Sequence, residues 1–261
     1  MLQEPPRSAY DLNFTFLGYP VRVFWGFWVL AAVVGYEWSR MRDAELAFFN
    51  LEPLGAPLCL VIWVAALFLS ILVHELGHSI AFARFGVGSN IVLYHFGGLA
   101  IPNSFGSWSG ARQGHVGPRE NMIIAAAGPA FQLALGGVAI LVAYVLKVPL
   151  YLPIIDWFFA GTAPQSGIAF VALNAIVYPS IAWAVLNLIP VFPLDGGQIL
   201  RGYLMQTNVA NPQYTTHMIS VACGAAFGLY LLMNGEFFGI MFLLFAANNF
   251  QQMQYGGQNP W

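Results

Sequence analysis

The sequence predicts an all-α polytopic membrane protein of about six transmembrane helices with short interfacial β-strands. Two observations predict it. Of the 261 residues, 59% are hydrophobic and 8% are charged, whereas a soluble domain carries about a quarter charged residues. The charges are also missing over long tracts: between Glu52 and Arg84 only Glu75 is ionised at neutral pH, and none lies between Glu120 and Lys147 or between Asp156 and Asp195. About 20 apolar residues cross a hydrocarbon layer as helix, so each tract holds a span.

Taken in order, residues 1–22 contain Glu4, Pro5, Pro6, Arg7 and Asp11 and lack a basic start followed by an apolar core, so they do not read as a cleaved secretory signal. Leu12, Phe14 and Phe16 alternate with polar or turn residues. Gly18, Tyr19 and Pro20 then turn the chain into Val21, Arg22, Val23 and Phe24, the pattern of an interfacial hairpin. Spans are expected near 23–36, 57–83, 120–146, 167–189, 217–233 and 236–249. Residues 90–102 are β-branched and aromatic and are broken by Gly97, Gly98 and Pro102, which reads as strand. Gly117, Pro118, Arg119 and Glu120 announce a helix start, because Pro suits the first turn and Glu favours the positive end of the dipole.

With no internal repeat and no appended soluble domain, residues 1–261 read as a single membrane domain. It comprises interfacial N-terminal strands (1–22), a transmembrane core (23–249) and a polar, loose tail (250–261). Cys59 and Cys223 lie in apolar runs and read as small buried hydrophobes rather than as a disulfide. The eight tryptophans and many phenylalanines read as lipid-facing or core packing. A net charge of −2 with no basic cluster excludes nucleic acid as a partner and leaves the lipid bilayer. Arg7, Arg22, Arg84, Arg112, Arg119 and Arg201 fall on one side of the expected spans, and Arg40, Arg42 and Lys147 on the other; the positive-inside rule makes the first side cytoplasmic.

Chemistry enters at His74, Glu75 and His78. Residues four apart share a helix face, so both imidazoles reach one metal while Glu75, one step round, reaches a water on it. This is the His-Glu-x-x-His signature of zinc metalloproteases. A chance grouping satisfied by polar neighbours is the alternative, and the membrane weakens it: an acid at bilayer depth costs roughly 2.5 to 3.5 kcal/mol on insertion scales. A catalytic zinc needs a third protein ligand. Asp195 is the candidate, following Asn187, Pro190 and Pro193 and preceding Gly196 and Gly197. Prolines and glycines break the helix there, and irregular backbone at membrane depth is tolerated where it lines a packed or wet cavity. A helix-terminating Asp-Gly turn at the surface is the other reading. An odd number of spans joins the two segments with the expected topology, so His78 and Asp195 emerge on one side. Arg84 follows His78 by about 9 Å of helix, which sets the metal inside the membrane but nearer the cytoplasm.

At these residues the chain resembles the site-2 protease family of intramembrane zinc metalloproteases. Val73 through His78 is similar to that family's first motif; Asn187, Pro190, Pro193, Leu194, Asp195, Gly196 and Gly197 are similar to its second. Ala127, Gly128 and Pro129 look like its intervening Gly-Pro motif, and residues 18–23 are also similar. One departure is Gln132, where the family usually has Asn three residues after Gly-Pro. The PDZ and CBS modules of some members are not recognisable. The resemblance implies zinc (Zn2+) bound by His74, His78 and Asp195, with Glu75 as general base and acid and Asn187 near the substrate carbonyl. It implies transmembrane segments of other proteins as substrates, paired in extended form with the strand edge at residues 90–101. It is compatible with a multi-pass protein of a prokaryotic plasma membrane. A divalent-metal transporter using His74, His78 and Asp195 is the rival; no second ligand set lies along a pathway, since His95, His115 and His217 read as interfacial or loop residues. Retention of His, Glu, His and Asp argues against an inactive homologue, and five histidines are too few for a diiron desaturase.

Overall fold

The computed structural model describes residues 5–94, 97–102, 116–151, 158–159 and 164–256. Its elements run β1 (Leu12–Phe16), β2 (Tyr19–Val23), α1 (Trp25–Leu46), α2 (Ala56–Arg84), β3 (Ser89–Tyr94), β4 (Gly97–Pro102), α3 (Pro118–Val145), β5 (Leu150–Tyr151), β6 (Phe158–Phe159), α4 (Gly167–Asn187), α5 (Asp195–Leu204), α6 (Pro212–Met233) and α7 (Gly239–Gly256). The chain divides into two compact units. One contains the elements from β1 to β4 together with Gly128–Ala184; the other contains α3 up to Ala127 and everything from Val185 onward.

In the first unit, β1 and β2 form the expected hairpin, but the turn falls at Leu17 and Gly18, both at positive φ (49° and 86°). Positive φ at both central residues matches the right-handed twist of the strands, so Tyr19 and Pro20 belong to β2 rather than to the turn. Pro20 precedes the first β2–β3 pair, Val21 with Ile91, and its missing N–H breaks no bond of that ladder. β2 and β3 are parallel, which requires a long crossover, and α1 with α2 supply it. Residues 90–102, expected as one strand patch, fold as two antiparallel strands in the order β1-β2-β3-β4. The edge expected at 90–101 is therefore β4 alone, because β3 is paired on both sides.

This sheet packs through Val21, Val23, Ile91 and Leu93 onto Phe27 and Ala31 of α1 and Ile71, Leu72 and Leu76 of α2. Gly35 lets α1 approach α2 closely: a Cβ there would overlap the Trp63 indole, whose Nε1 donates to the Ala31 carbonyl at 3.1 Å. Small residues at such crossings allow backbone approach and interhelical hydrogen bonding. α1 outruns the expected span 23–36 by a decade of residues because its charges are paired along the helix. Arg40 bonds Glu37 at 3.4 Å and Arg42 bonds Glu45 at 2.5 Å, and the Arg42 guanidinium lies 4.2 Å from the centre of the Tyr151 ring. A second apolar cluster joins Leu46, Cys59, Ala139, Ala143, Phe170 and Val171. Cys59 is buried there as a free thiol, as expected.

Four helices, α2, α3, α4 and α6, are long and apolar enough to cross a membrane among the described residues. Four of the six expected spans meet that standard; α1 is charged over its second half, and α7 turns amide-rich from Asn248 onward. Residues 251–256, assigned to a loose tail, continue α7. α3 begins at Pro118, as read from its start signal, and α4 ends at Asn187, just before the prolines. In the second unit α5 packs on α6 and α6 on α7, and Gly228 and Gly239 bring the last two backbones together.

Arg22 ties down the N-terminal segment. It is 8% exposed, its Nε donates to Asp11 Oδ2 at 2.8 Å, and its Nη2 donates to the Pro5 and Pro6 carbonyls, each at 2.8 Å. Burial by itself would raise the Asp11 carboxyl, but the Ser8 N–H and the Arg22 guanidinium outweigh it and hold the group below its ordinary value of 3.8. The ion pair's contribution is therefore complete above that value and is lost as pH falls through the lowered one. Asp11→Asn is expected to lower Tm at neutral pH, with a deficit that shrinks as pH falls below the ordinary carboxyl value; a deficit that persists unchanged in acid contradicts this.

Candidate metal centre

His74, Glu75 and His78 occupy one turn of α2, and all three are buried at 3%, 3% and 7% exposure. One ligand atom from each lies within 4.8 Å of the others. The His74 and His78 Nε2 atoms are 3.1 Å apart with their rings nearly perpendicular. Two nitrogens bound to one tetrahedral cation at about 2.0–2.1 Å stand about 3.3 Å apart. The imidazole pair thus has the spacing of two ligands on a single cation.

The tautomer of His74 is fixed from behind. Gln132 on α3 donates from Nε2 to Ser70 Oγ at 2.9 Å, which turns its Oε1 toward His74 Nδ1 at 2.8 Å. Nδ1–H therefore donates to Gln132, and the Nε2 lone pair is directed toward His78 Nε2. Ser70 in turn bonds Ser180 of α4 at 3.0 Å. Gln132, Ser70 and Ser180 are each 0% exposed, so the chain of bonds is dry and satisfied. Metal-binding histidines characteristically anchor their second nitrogen this way.

Glycines make the room. At Gly128 a Cβ would overlap the His78 imidazole, which gives a steric reason for glycine beside Pro129 in the middle of α3. At Gly98 a Cβ would overlap the Glu75 carboxyl, so β4 lies directly against that side chain. Gly97 holds φ 121°, a conformation other residues avoid, with the Trp183 ring against it. Tyr94, buried at the end of β3, has its phenol pushed above the ordinary value by burial, and the charge of Glu75 adds to the effect.

Asp195 is the first residue of α5 and Asn187 the last of α4, both in the second unit. The helix is broken between them, as the prolines required, but Asp195 opens a helix instead of closing one. The reading of one histidine needs correction: His217, expected as an interfacial or loop residue, lies on α6, is 8% exposed and bonds Asn249 at 2.7 Å. His95 and His115 fall outside the described residues. Sequence reading missed Ser70, although its place four residues before His74 sets it on the same helix face. Nothing local to Ser180 or Gly98 marks either.

Known proteins bear on this geometry. A model of Peptidase family M50 matches residues 62–231. The chain belongs to Peptidase family M50. A Synechocystis protein carrying a zinc metalloprotease name is 31% identical over 203 residues, 77% of this chain and 46% of that protein. A zinc metalloprotease of Methanocaldococcus jannaschii is 28% identical over 153 residues, 55% and 37% of the two chains. A Mycobacterium tuberculosis protein with a zinc metalloprotease name is 29% identical over 198 residues, 72% and 42%. The chain spans less than half the length of these relatives. Its fold is similar to that of a site-2 protease from Methanocaldococcus jannaschii, with a TM-score of 0.54 at 21% identity over 94% of this chain and 95% of that one. The family resemblance read from the motifs is borne out, and with four apolar helices this M50 member is an integral membrane protein.

Gln132→Leu removes both amide bonds at similar volume. It is expected to weaken divalent-metal affinity about 10- to 100-fold in competition with a chelator. Gln132→Glu, which keeps an acceptor facing His74, is expected to retain most of the affinity. Equal affinity in the Leu variant contradicts the anchoring role.

Proposed function

We propose that this M50 protein is an intramembrane zinc metalloprotease that cuts peptide bonds within or near transmembrane segments of other membrane proteins. The observation that carries the reading is the imidazole pair 3.1 Å apart with the Glu75 carboxylate beside it, inside a helix apolar enough to span a bilayer. His74, His78 and Asp195 hold the metal, and the zinc metalloprotease names of the relatives agree with zinc as its identity. Zinc, when bound, supplies Lewis-acid polarisation of the scissile carbonyl and lowers the pKa of an associated water to about 7.

The protein's own groups do the rest. Glu75 accepts a proton from the attacking water and delivers it to the leaving nitrogen as the carbon–nitrogen bond breaks. Asn187 donates its amide toward the substrate carbonyl as negative charge develops there. The substrate must reach these groups in extended form, because helical carbonyls are occupied by their own hydrogen bonds; Pro or Gly in the target eases the unwinding. Among the described residues, β4 pairs only with β3, and its Gly98 lies against Glu75. A segment added along β4 would therefore run past the base, with main-chain bonds supplying affinity. The placement of Lys and Arg about the expected spans favours a site nearer the cytoplasmic face, and the sources of the relatives agree with a prokaryotic plasma membrane.

Glu75→Gln removes the base and leaves the imidazoles. It is expected to bind zinc with unchanged stoichiometry while cleavage of a co-reconstituted single-span substrate falls by about 10²-fold or more. Undiminished cleavage by that variant removes the mechanism.

A further inference from the structure

The segment that delivers Asp195 is held in part by helices remote in sequence: Leu188, Ile189, Val191 and Leu194 donate to carbonyls two or three residues back, whereas Phe192 turns to α6 and α7. Residues 188–194 connect α4 to α5, and Pro190 and Pro193 remove two backbone donors from it. Non-helical backbone at membrane depth must be satisfied by protein. At Phe192 both backbone groups are held by side chains: its N–H donates to Ser220 Oγ of α6 at 2.9 Å, and its carbonyl accepts from Asn249 Nδ2 of α7 at 2.5 Å. Asn249 is itself oriented. Its Oδ1 accepts from His217 Nδ1 at 2.7 Å, its Nδ2 also donates to the Phe245 carbonyl at 2.8 Å, and the His217 ring meets the Phe192 ring edge-on at 5.7 Å. Ser220 and Asn249 are 0% and 3% exposed, so no water competes for these bonds.

The clamp reaches the two residues that follow Asp195 by direct contact. A Cβ at Gly197 would overlap the Phe192 backbone, and one at Gly196 would overlap the Leu188 and Ile189 carbonyls. The first turn of α5 is therefore seated on the pinned loop, and Asp195 is the residue immediately before those two glycines. An amide that served only to join α7 to α6 would be satisfied by His217. This one extends past α6 to the loop carbonyl.

We infer that Asn249, oriented by His217 and assisted by Ser220, is a positioning residue that sets the Asp195 carboxylate from α7; the inference rests on Asp195 being a zinc ligand. The test is a double-mutant cycle on the full chain in detergent, with zinc affinity read by chelator competition and helix content by circular dichroism. Asn249→Leu is expected to weaken zinc about tenfold or more, with Ser220→Ala shifting it in the same direction. In an Asp195→Asn background Asn249→Leu should add less than about twofold, because the residue it positions is gone. Unchanged zinc affinity in a folded Asn249→Leu protein, or losses that multiply in the double variant, overturns the inference while leaving the ligand assignment standing. Unchanged affinity in Asp195→Asn alone overturns the ligand assignment and the inference with it. Should Asn249→Leu lose helix content, the same cycle is run with Ser220→Ala, and multiplied losses there are equally fatal.

Discussion

Two imidazoles and a carboxylate on one turn of an apolar helix must be given partners by the protein, since the surrounding hydrocarbon offers none. Most of what is unusual in this chain follows from that constraint. Gln132 turns its carbonyl oxygen to His74 because Ser70 takes its amide protons, and Ser180 takes up Ser70. Side chains from three helices are thus committed to fixing one tautomer. A methylene longer than the family's usual Asn, Gln132 finds its second partner one turn before the histidine pair, so the departure is accommodated by a hydroxyl already on the same helix face.

Space is the complementary demand. The site is crowded enough that Gly128 and Gly98 each stand where a Cβ would strike His78 or Glu75. The small sheet serves the same end. Because β2 and β3 are parallel, the strands are bound to α1 and α2 through one apolar cluster, and β4 lies against Glu75 with its outer edge unshared among the described residues. In the second unit Asn249 and Ser220 do for the Asp195 loop what Gln132 does for His74. In both places buried amides and hydroxyls hold irregular or ligand-bearing groups that no regular ladder supports.

The chemistry was legible where it is local. His74, Glu75 and His78 announce themselves by helical spacing in a charge-free tract, Pro118 by its place in a first turn, and the break before Asp195 by Pro190 and Pro193. What the sequence hid is non-local or depends on pairing. Span counting by apolarity cut α1 short, because Arg40 and Arg42 are neutralised by Glu37 and Glu45 on the same helix. Asn249 closes the span expected at 236–249, and nothing local shows that it points inward to Phe192 and His217. The parallel pairing of β2 with β3 joins strands about 70 residues apart, beyond the reach of any periodicity argument.

The central claim is that the two convergent imidazoles hold a zinc ion with oxygen donors completing its shell. X-ray absorption at the zinc edge of the purified protein tests it most directly. The account predicts about one zinc per chain, four-coordinate, with two imidazole nitrogens at about 2.0–2.1 Å, oxygen in the remaining positions and no sulfur. A shell with fewer than two imidazoles, or one containing a thiolate at about 2.3 Å, would contradict it.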